Sequence, residues 1–354
     1  MGRWIGGDRR TDRLLDRVYA ASAIDGRHSV LPDFLPDPPG GAATPFVDGD
    51  GRFRSPTTGE RNALYAAHAP GLAERAARAA LAAADGFAPA DVTHLVTVSC
   101  TGFMTPGTDL HLAGSLGLRP RLERYHLGFM GCFAAFPALR MARAFCAADP
   151  AAVVLIVAVE LCTLHLQPAA DLDAVLSAAV FADGAAAALV SARAPRTSPA
   201  DGAATAQRPL ALERSATAVT RDGAADMAWT IGDHGFDMTL TAYVPRVIAA
   251  ETADALAPLF EGGVGPSDVR WWAVHPGGRA IVDKVVEAMG LDEDAVAASR
   301  AVLRRAGNMS SATVLFVLEE LMDRRHPGPV PGERVAALAF GPGLTVDSAL
   351  LRAL

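Results

Sequence analysis

Two stretches of this chain pass through the same order of elements, and that order limits the fold more than any other feature. The apolar run His94–Val98 leads into Cys100-Thr-Gly, and the later run Trp271–Val274 leads into His275-Pro-Gly-Gly. Gly131-Cys132 then opens a helix, as Gly307-Asn308 does in the second stretch. Apolar strands follow at Val153–Val159 and Val335–Phe340, and Ala185–Val190 and Leu344–Leu351 close the two halves. Thr101 and Cys132 are 31 positions apart and His275 and Asn308 are 33 apart, although identity between the halves is negligible. A repeat of pattern predicts a pseudo-twofold fold that brings the equivalent loops of both halves to one central site.

Continuous Val/Ile/Leu/Ala runs suit strands buried on both faces by helices, so the class is α/β. Residues 9–23 read as an Arg/Asp-rich amphipathic helix, Leu31–Gly59 as a Pro/Gly/Asp-rich loop. Glu60–Ala84 reads as a long Ala-rich helix with Leu64, Leu72, Ala76 and Leu81 on one face. The Pro/Ala/Ser/Thr-rich stretch Ser191–Arg208 marks a boundary, giving halves 1–195 and 209–354 with a linker at 196–208. With 354 residues, 51% hydrophobic and 20% charged, the chain buries a large core and is not a disordered one. Thirty-two basic against 39 acidic residues give −7, which argues against a nucleic-acid partner. The longest apolar run, Ala151–Val159, is about half the ~20 residues a membrane helix needs, so no stable membrane insertion is expected. The opening residues lack the apolar region of a secretory signal. Cys100, Cys132, Cys146 and Cys162 form no C-x-x-C pair and no zinc-spaced cluster. They read as reduced thiols of a cytoplasmic protein, with no metal site.

In Tyr125-His-Leu-Gly-Phe-Met-Gly-Cys132 a strand-like run turns at Gly131 and becomes a helix. Cys132 is thereby placed at a helix start, where unpaired amides and the dipole favour a thiolate. The plain alternative is a buried structural thiol. His275, at a strand's end before a glycine turn, has its ring free to face a cavity, or is a satisfied core histidine. Asn308 precedes the helix-like Val314–Met322 and on its own is most simply an N-cap. Taken together at equivalent places of a repeat, they form a candidate catalytic set. Cys132 would be the nucleophile, with His275 and Asn308 as donors to a developing oxyanion.

Gly-Phe-Met-Gly-Cys132-Phe-Ala-Ala, Ala273-Val-His275-Pro-Gly-Gly and Gly307-Asn308-Met-Ser-Ser-Ala-Thr resemble the three active-site motifs of type III polyketide synthases, the chalcone-synthase-like members of the thiolase superfamily. Val180-Phe181-Ala-Asp-Gly and Phe340-Gly-Pro-Gly-Leu-Thr match as well, and the resemblance runs in order from about Arg13 to the end. It implies a homodimer with a thiolase-like αβαβα fold that uses CoA thioesters and no further cofactor. Cys132 would carry the acyl group from an acyl-CoA, and His275 and Asn308 would hold the carbonyl of malonyl-CoA as it loses CO2. His275 would also pair with the Cys132 thiolate at rest.

The same resemblance assigns further positions. Phe181 corresponds to a gatekeeper between CoA tunnel and cavity. Thr101 and Ser310 fall among the substrate-facing positions, and Gly341, Pro342 and Gly343 match the loop shaping the cyclisation cavity. Arg17 falls where the family places a basic residue for the CoA phosphates, and Gly277, Gly278, Arg279 and Ala280 correspond to the segment along the pantetheine arm. Met238 stands where plant members have a second gatekeeper phenylalanine. Cys162 and His165 line the region that tunes starter and chain length, Trp229 narrows another wall, and Thr105 replaces a methionine that reaches into the partner's cavity. No strand-like run precedes the Arg13–Ala23 helix, where the family carries one. The set looks bacterial and is similar to enzymes making alkylresorcinols or alkylpyrones from fatty acyl starters. The alternatives are a synthase using malonyl-CoA alone (tetrahydroxynaphthalene or phloroglucinol type) and a ketoacyl synthase III-like enzyme. A non-catalytic dimeric scaffold would be expected to have lost Cys132, His275 or Asn308.

Overall fold

The computed structural model describes residues 2–35, 44–169, 172–193, 207–220, 225–241 and 243–354. Ahead of the first strand lie three helices: α1 (Gly2–Ile5), α2 (Arg9–Ala21) and α3 (Thr58–Ala83). Asp8 caps α2 by accepting the Arg10 and Thr11 N–H groups. The start of α3 is a capping box, in which Thr57 accepts the Glu60 N–H and Glu60 accepts the Thr57 N–H. These two caps explain why the helices begin where the sequence placed them, to within two residues.

The first half continues as β1 (His94–Ser99), α4 (Thr108–Ser115), β2 (Glu123–Gly128), α5 (Ala135–Ala148), β3 (Val153–Leu161), α6 (Leu172–Val180) and β4 (Asp183–Ser191). In its sheet, ordered β2-β1-β3-β4, β1 runs parallel to both neighbours and β4 antiparallel to β3. The second half contains β5 (Leu210–Val219), β6 (Met227–Gly232), β7 (Gly235–Leu240), α7 (Val244–Leu256) and β8 (Trp271–Val274). It ends with α8 (Arg279–Met289), α9 (Ala297–Ala306), α10 (Thr313–Met322), β9 (Arg334–Gly341) and β10 (Thr345–Ala353). Its main sheet is ordered β5-β10-β9-β8, with β9 parallel to β8 and β10 antiparallel to β9.

Thus β1-β3-β4 and β8-β9-β10 share order and sense, which is the repeat read from the sequence. The halves are not identical. Among the described residues the first half has no counterpart of β5, so β4 is its edge strand, and the second has no counterpart of β2.

Side-chain alternation builds the layers. Val154 and Ile156 of β3 face α5 and α10, which pack between the two sheets with Trp271, Ala273 and Val335 from the other side. Val153, Leu155 and Val157 face outward onto Ala69, Ala73 and Ala77 of α3. On the far side Trp272, Val274, Ala336 and Leu338 face Val247 and Ile248 of α7 and Val282 and Val285 of α8. The result is an αβαβα stack, and every residue of β3 is buried because helices cover both of its faces.

Most of the expected 196–208 linker lies outside the described residues. Beyond it, the Arg208 guanidinium donates to the carbonyls of Leu321 and Asp323 and ties the start of the second half to the end of α10. No helix among the described residues is long and apolar enough to cross a membrane. Replacing Thr57 by Ala removes the capping box, and we expect a loss of about 1 kcal/mol in stability. A urea midpoint that falls with unchanged slope checks it.

Candidate active site

The repeat brings its two loops together at the carboxyl ends of β1 and β8. His275 leaves β8 with its backbone N–H donating to Leu338 O at 2.8 Å, and its ring is buried with neither nitrogen in a hydrogen bond. Cys132 lies in the turn before α5, opposite the loop that follows α9. There the Asn308 amide Nδ2 is 3.9 Å from Cys132 Sγ and donates to Gly277 O at 3.4 Å. The Cys132 thiol faces Ser310 Oγ at 3.7 Å. Cys132, His275, Asn308 and Ser310 line one chamber of about 60 Å³, room for a few water molecules.

Backbone conformation aims these groups. Gly131 has φ +81°, and a Cβ there would stand 2.2 Å from Pro342 Cδ, so only glycine fits before Cys132. Phe129 and Ser310 hold left-handed φ of 59° and 47°, strain of the kind that collects at functional sites. Asn308 is not the N-cap the sequence suggested: α10 starts five residues later. Its Oδ1 accepts the Ser310 N–H at 2.8 Å, which leaves Nδ2 for the chamber. The backbone of Phe181 bridges that of Asn308, with the Asn308 N–H donating to Val180 O and the Ala182 N–H to Asn308 O, both at 2.9 Å. The gatekeeper position and the amide donor are therefore set in one ladder.

Burial decides the protonation states. It pushes the Cys132 thiol up to about 11 and the His275 imidazole down to about 3, with no neighbouring charge to offset it. Burial thus works against the expected helix-start thiolate paired with imidazolium, and neither ring nitrogen of His275 is in a hydrogen bond. Cys132 stands three residues ahead of α5, and desolvation favours the neutral form of both groups. A neutral, unpartnered imidazole is nonetheless costly to bury, and it keeps one donor and one acceptor free for a bound molecule.

The other sequence-picked residues divide by place. Phe181, Trp229 and Met238 line both the chamber and a wide adjoining cleft of about 650 Å³. Cys162 and His165 line the cleft and not the chamber. Pro342 and Gly277 line the chamber, whereas Gly341 backs onto Phe133, and Gly343, Gly278 and Ala280 line neither cavity. Thr101 is buried with its hydroxyl donating to Glu160 at 2.9 Å, and it lines neither cavity. Thr105 is exposed, ahead of a cis bond to Pro106. Arg17 is exposed on α2, and Arg279 pairs with Asp283 at 3.5 Å on the outer face of α8.

Sequence reasoning missed Cys100, Phe129, Ile281 and Phe340, all of which line the chamber. Cys100 had a signal, its place one residue past a buried strand. It also missed Glu160, fully buried, which accepts from the Cys100 N–H, the Thr101 hydroxyl and the Ser311 hydroxyl. Burial pushes its carboxyl up to about 7. No group of three or more His, Cys, Asp or Glu among the described residues is arranged to hold a metal.

Residues 48–194 match the N-terminal domain model of chalcone and stilbene synthases, and residues 212–354 match the C-terminal domain model. This chain belongs to that family and is a type III polyketide synthase. The synthase is 38% identical over 323 residues to bisdemethoxycurcumin synthase of Oryza sativa subsp. japonica, covering 87% of this chain and 76% of that one. It is 33% identical to the alpha-pyrone synthesis polyketide synthase-like Pks18 of Mycobacterium tuberculosis, over 95% of this chain and 81% of that one. Among solved structures, PKS-I from the brown alga Ectocarpus siliculosus superposes with a TM-score of 0.87 at 31% identity, over 98% of this chain and 90% of that one. The 1,3,6,8-tetrahydroxynaphthalene synthase of Streptomyces coelicolor A3(2) gives 0.79 at 26% identity, over 98% of this chain and 91% of that one.

A thiol at about 11 is ionised tenfold less for every pH unit below that value. Iodoacetamide alkylation of Cys132 in the free synthase should therefore climb about tenfold per unit between pH 7 and 10. A rate that is flat over that range would show a resting ion pair instead.

Proposed function

We propose that Cys132 is the acyl-carrying nucleophile and that His275 and Asn308 stabilise the enolate formed from malonyl-CoA. The observation that carries this reading is the buried, unpartnered His275 ring lining one water-poor chamber with Asn308 Nδ2 and Cys132 Sγ. As an acyl-CoA enters, the neutral imidazole takes the Cys132 proton, the sulfur forms a thioester, and coenzyme A leaves with that proton. Malonyl-CoA then loses CO2. The electron pair passes to its thioester oxygen, where the His275 and Asn308 N–H groups meet the developing charge. The enolate carbon attacks the acyl carbonyl and the Cys132 sulfur departs, leaving a chain two carbons longer.

The preferred starter is a fatty acyl-CoA, and the preferred product an α-pyrone or resorcinol. The wide cleft beside the chamber, walled in part by Tyr19, Ile24, Leu31, Phe34 and Leu35, supports an apolar tail. Likeness to a relative named for alpha-pyrone synthesis supports the ring. Phe181 lines both spaces, in keeping with a gatekeeper on the path of the thioester. A second reading, a synthase fed by malonyl-CoA alone, is favoured by the small chamber and the Trp229 wall. Exposed Phe103 and Leu110 beside Thr105 support the expected homodimer.

Incubation with malonyl-CoA and acyl-CoAs from C2 to C18, with products identified by mass spectrometry, tests the reading. The expected result is a triketide or tetraketide ring bearing the starter. Product only when malonyl-CoA is supplied alone selects the second reading. Cys132→Ala should abolish product. His275→Ala and Asn308→Ala should each lower malonyl-CoA decarboxylation by about 10²–10³, as the loss of one oxyanion donor does elsewhere.

A further inference from the structure

The wall between chamber and cleft belongs to neither main sheet. Strands β6 and β7 pair only with each other, and Trp229 lies directly across from Met238 in their register. These are the two hairpin side chains that line both spaces. An isolated two-stranded hairpin is marginal in water, so the place of this one is fixed by what grips it.

Several contacts grip it, Ser55 at His234 and Gln167 at Asp237 among them, and the two closest to the wall also come from the first half of the chain although the hairpin belongs to the second. At the turn, the Thr58 N–H donates to Asp233 O at 2.8 Å. The Thr58 hydroxyl donates to Gly232 O and accepts the Gly235 N–H at 2.8 Å. Further along, the His165 ring stacks on Phe236 with centroids 3.9 Å apart, and its Nδ1 accepts the Phe236 N–H at 3.1 Å. The opposite ring nitrogen, Nε2, donates to Thr101 O at 2.8 Å, which anchors the imidazole to the loop after β1. The Trp229 indole N–H meets no acceptor. No hydrogen bond holds the indole, which meets only the rings of Phe181, His165 and Phe236, so its position follows that of the strand and of the His165–Phe236 stack.

We propose that Thr58 is a positioning residue that sets which acyl chains the synthase accepts, by holding, together with the His165 stack, the Trp229–Met238 wall across the passage from chamber to cleft. The inference rests on the acyl-CoA reading above. With the wall gripped, a chain carried on Cys132 has the chamber of about 60 Å³ and a narrow way past Phe181, Trp229 and Met238. With the grip released, the chamber joins the cleft of about 650 Å³. Length and bulk of the starter then cease to be limited at that point.

The test is acylation of Cys132, read by intact-protein mass spectrometry, with acyl-CoAs from C4 to C16 and no malonyl-CoA. In Thr58→Val, the ratio of kcat/KM for C16 over C4 should rise at least tenfold above wild type, and Thr58→Ser, which keeps the hydroxyl, should restore the wild-type ratio. Trp229→Ala deletes the wall while leaving the Thr58 hydrogen bonds in place and should move the ratio the same way. A wild-type profile in folded Thr58→Val, or failure of Thr58→Ser to restore it, overturns the role of the grip. An unchanged profile in Trp229→Ala overturns the proposal by itself, whatever becomes of the Thr58 variants. Wild-type protein acylated by no acyl-CoA would instead overturn the starter reading beneath it.

Discussion

Glu160 lies near the end of β3, out of contact with solvent, and its carboxylate is shared between the two halves of the chain. From the first half it receives the Cys100 N–H and the Thr101 hydroxyl; from the second, the Ser311 hydroxyl. Cys100 in turn accepts the Gly131 N–H on its sulfur at 3.0 Å, next to Cys132, while Ser311 follows Ser310 in the loop that carries Asn308. One buried acceptor thus sets the thiol's turn against the amide's loop. A buried carboxyl is tolerated only when donors surround it, and here those donors are the parts that must be kept in register. The Phe181–Asn308 backbone bridge makes a second tie across the same seam.

Within that frame the electrostatics are deliberately empty. The chamber holds a thiol and an imidazole with no cation beside them; burial drives both toward the neutral form, and nearby Glu160 pushes the thiol the same way. Charge appears there only when substrate brings it. Fixed donors in a water-poor space act most strongly on charge that develops during the reaction and need no reorganisation to do so.

Much of this was legible in the chain. The alternation of buried runs with helices gave β1, β3, β4, β8, β9 and β10, and the repeat placed Cys132, His275 and Asn308 at one point because equivalent loops of equivalent halves must meet. Less legible was anything that depends on contacts distant in sequence. Glu160 looks like the polar end of an apolar strand until Ser311, 151 positions away, is seen to donate to it. Thr101 reads as a cavity residue until that same carboxyl claims its hydroxyl. Strands β6 and β7 carry a half-exposed, mixed pattern typical of a ribbon packed on other elements, so their burial came from α3 and His165 and not from their own periodicity. The thiol's surroundings were hidden for a related reason: a helix start can be read locally, whereas desolvation comes from the whole enclosure.

The hairpin is built outside both four-stranded sheets, and this separates two inheritances. His275 sits at a strand end, and Cys132 and Asn308 sit in loops tied to the core, so a change among them endangers everything at once. The ribbon bearing Trp229 and Met238 contributes little to that core. A change along it can therefore reshape the boundary between chamber and cleft while the strands that fix the rest of the site stay in place.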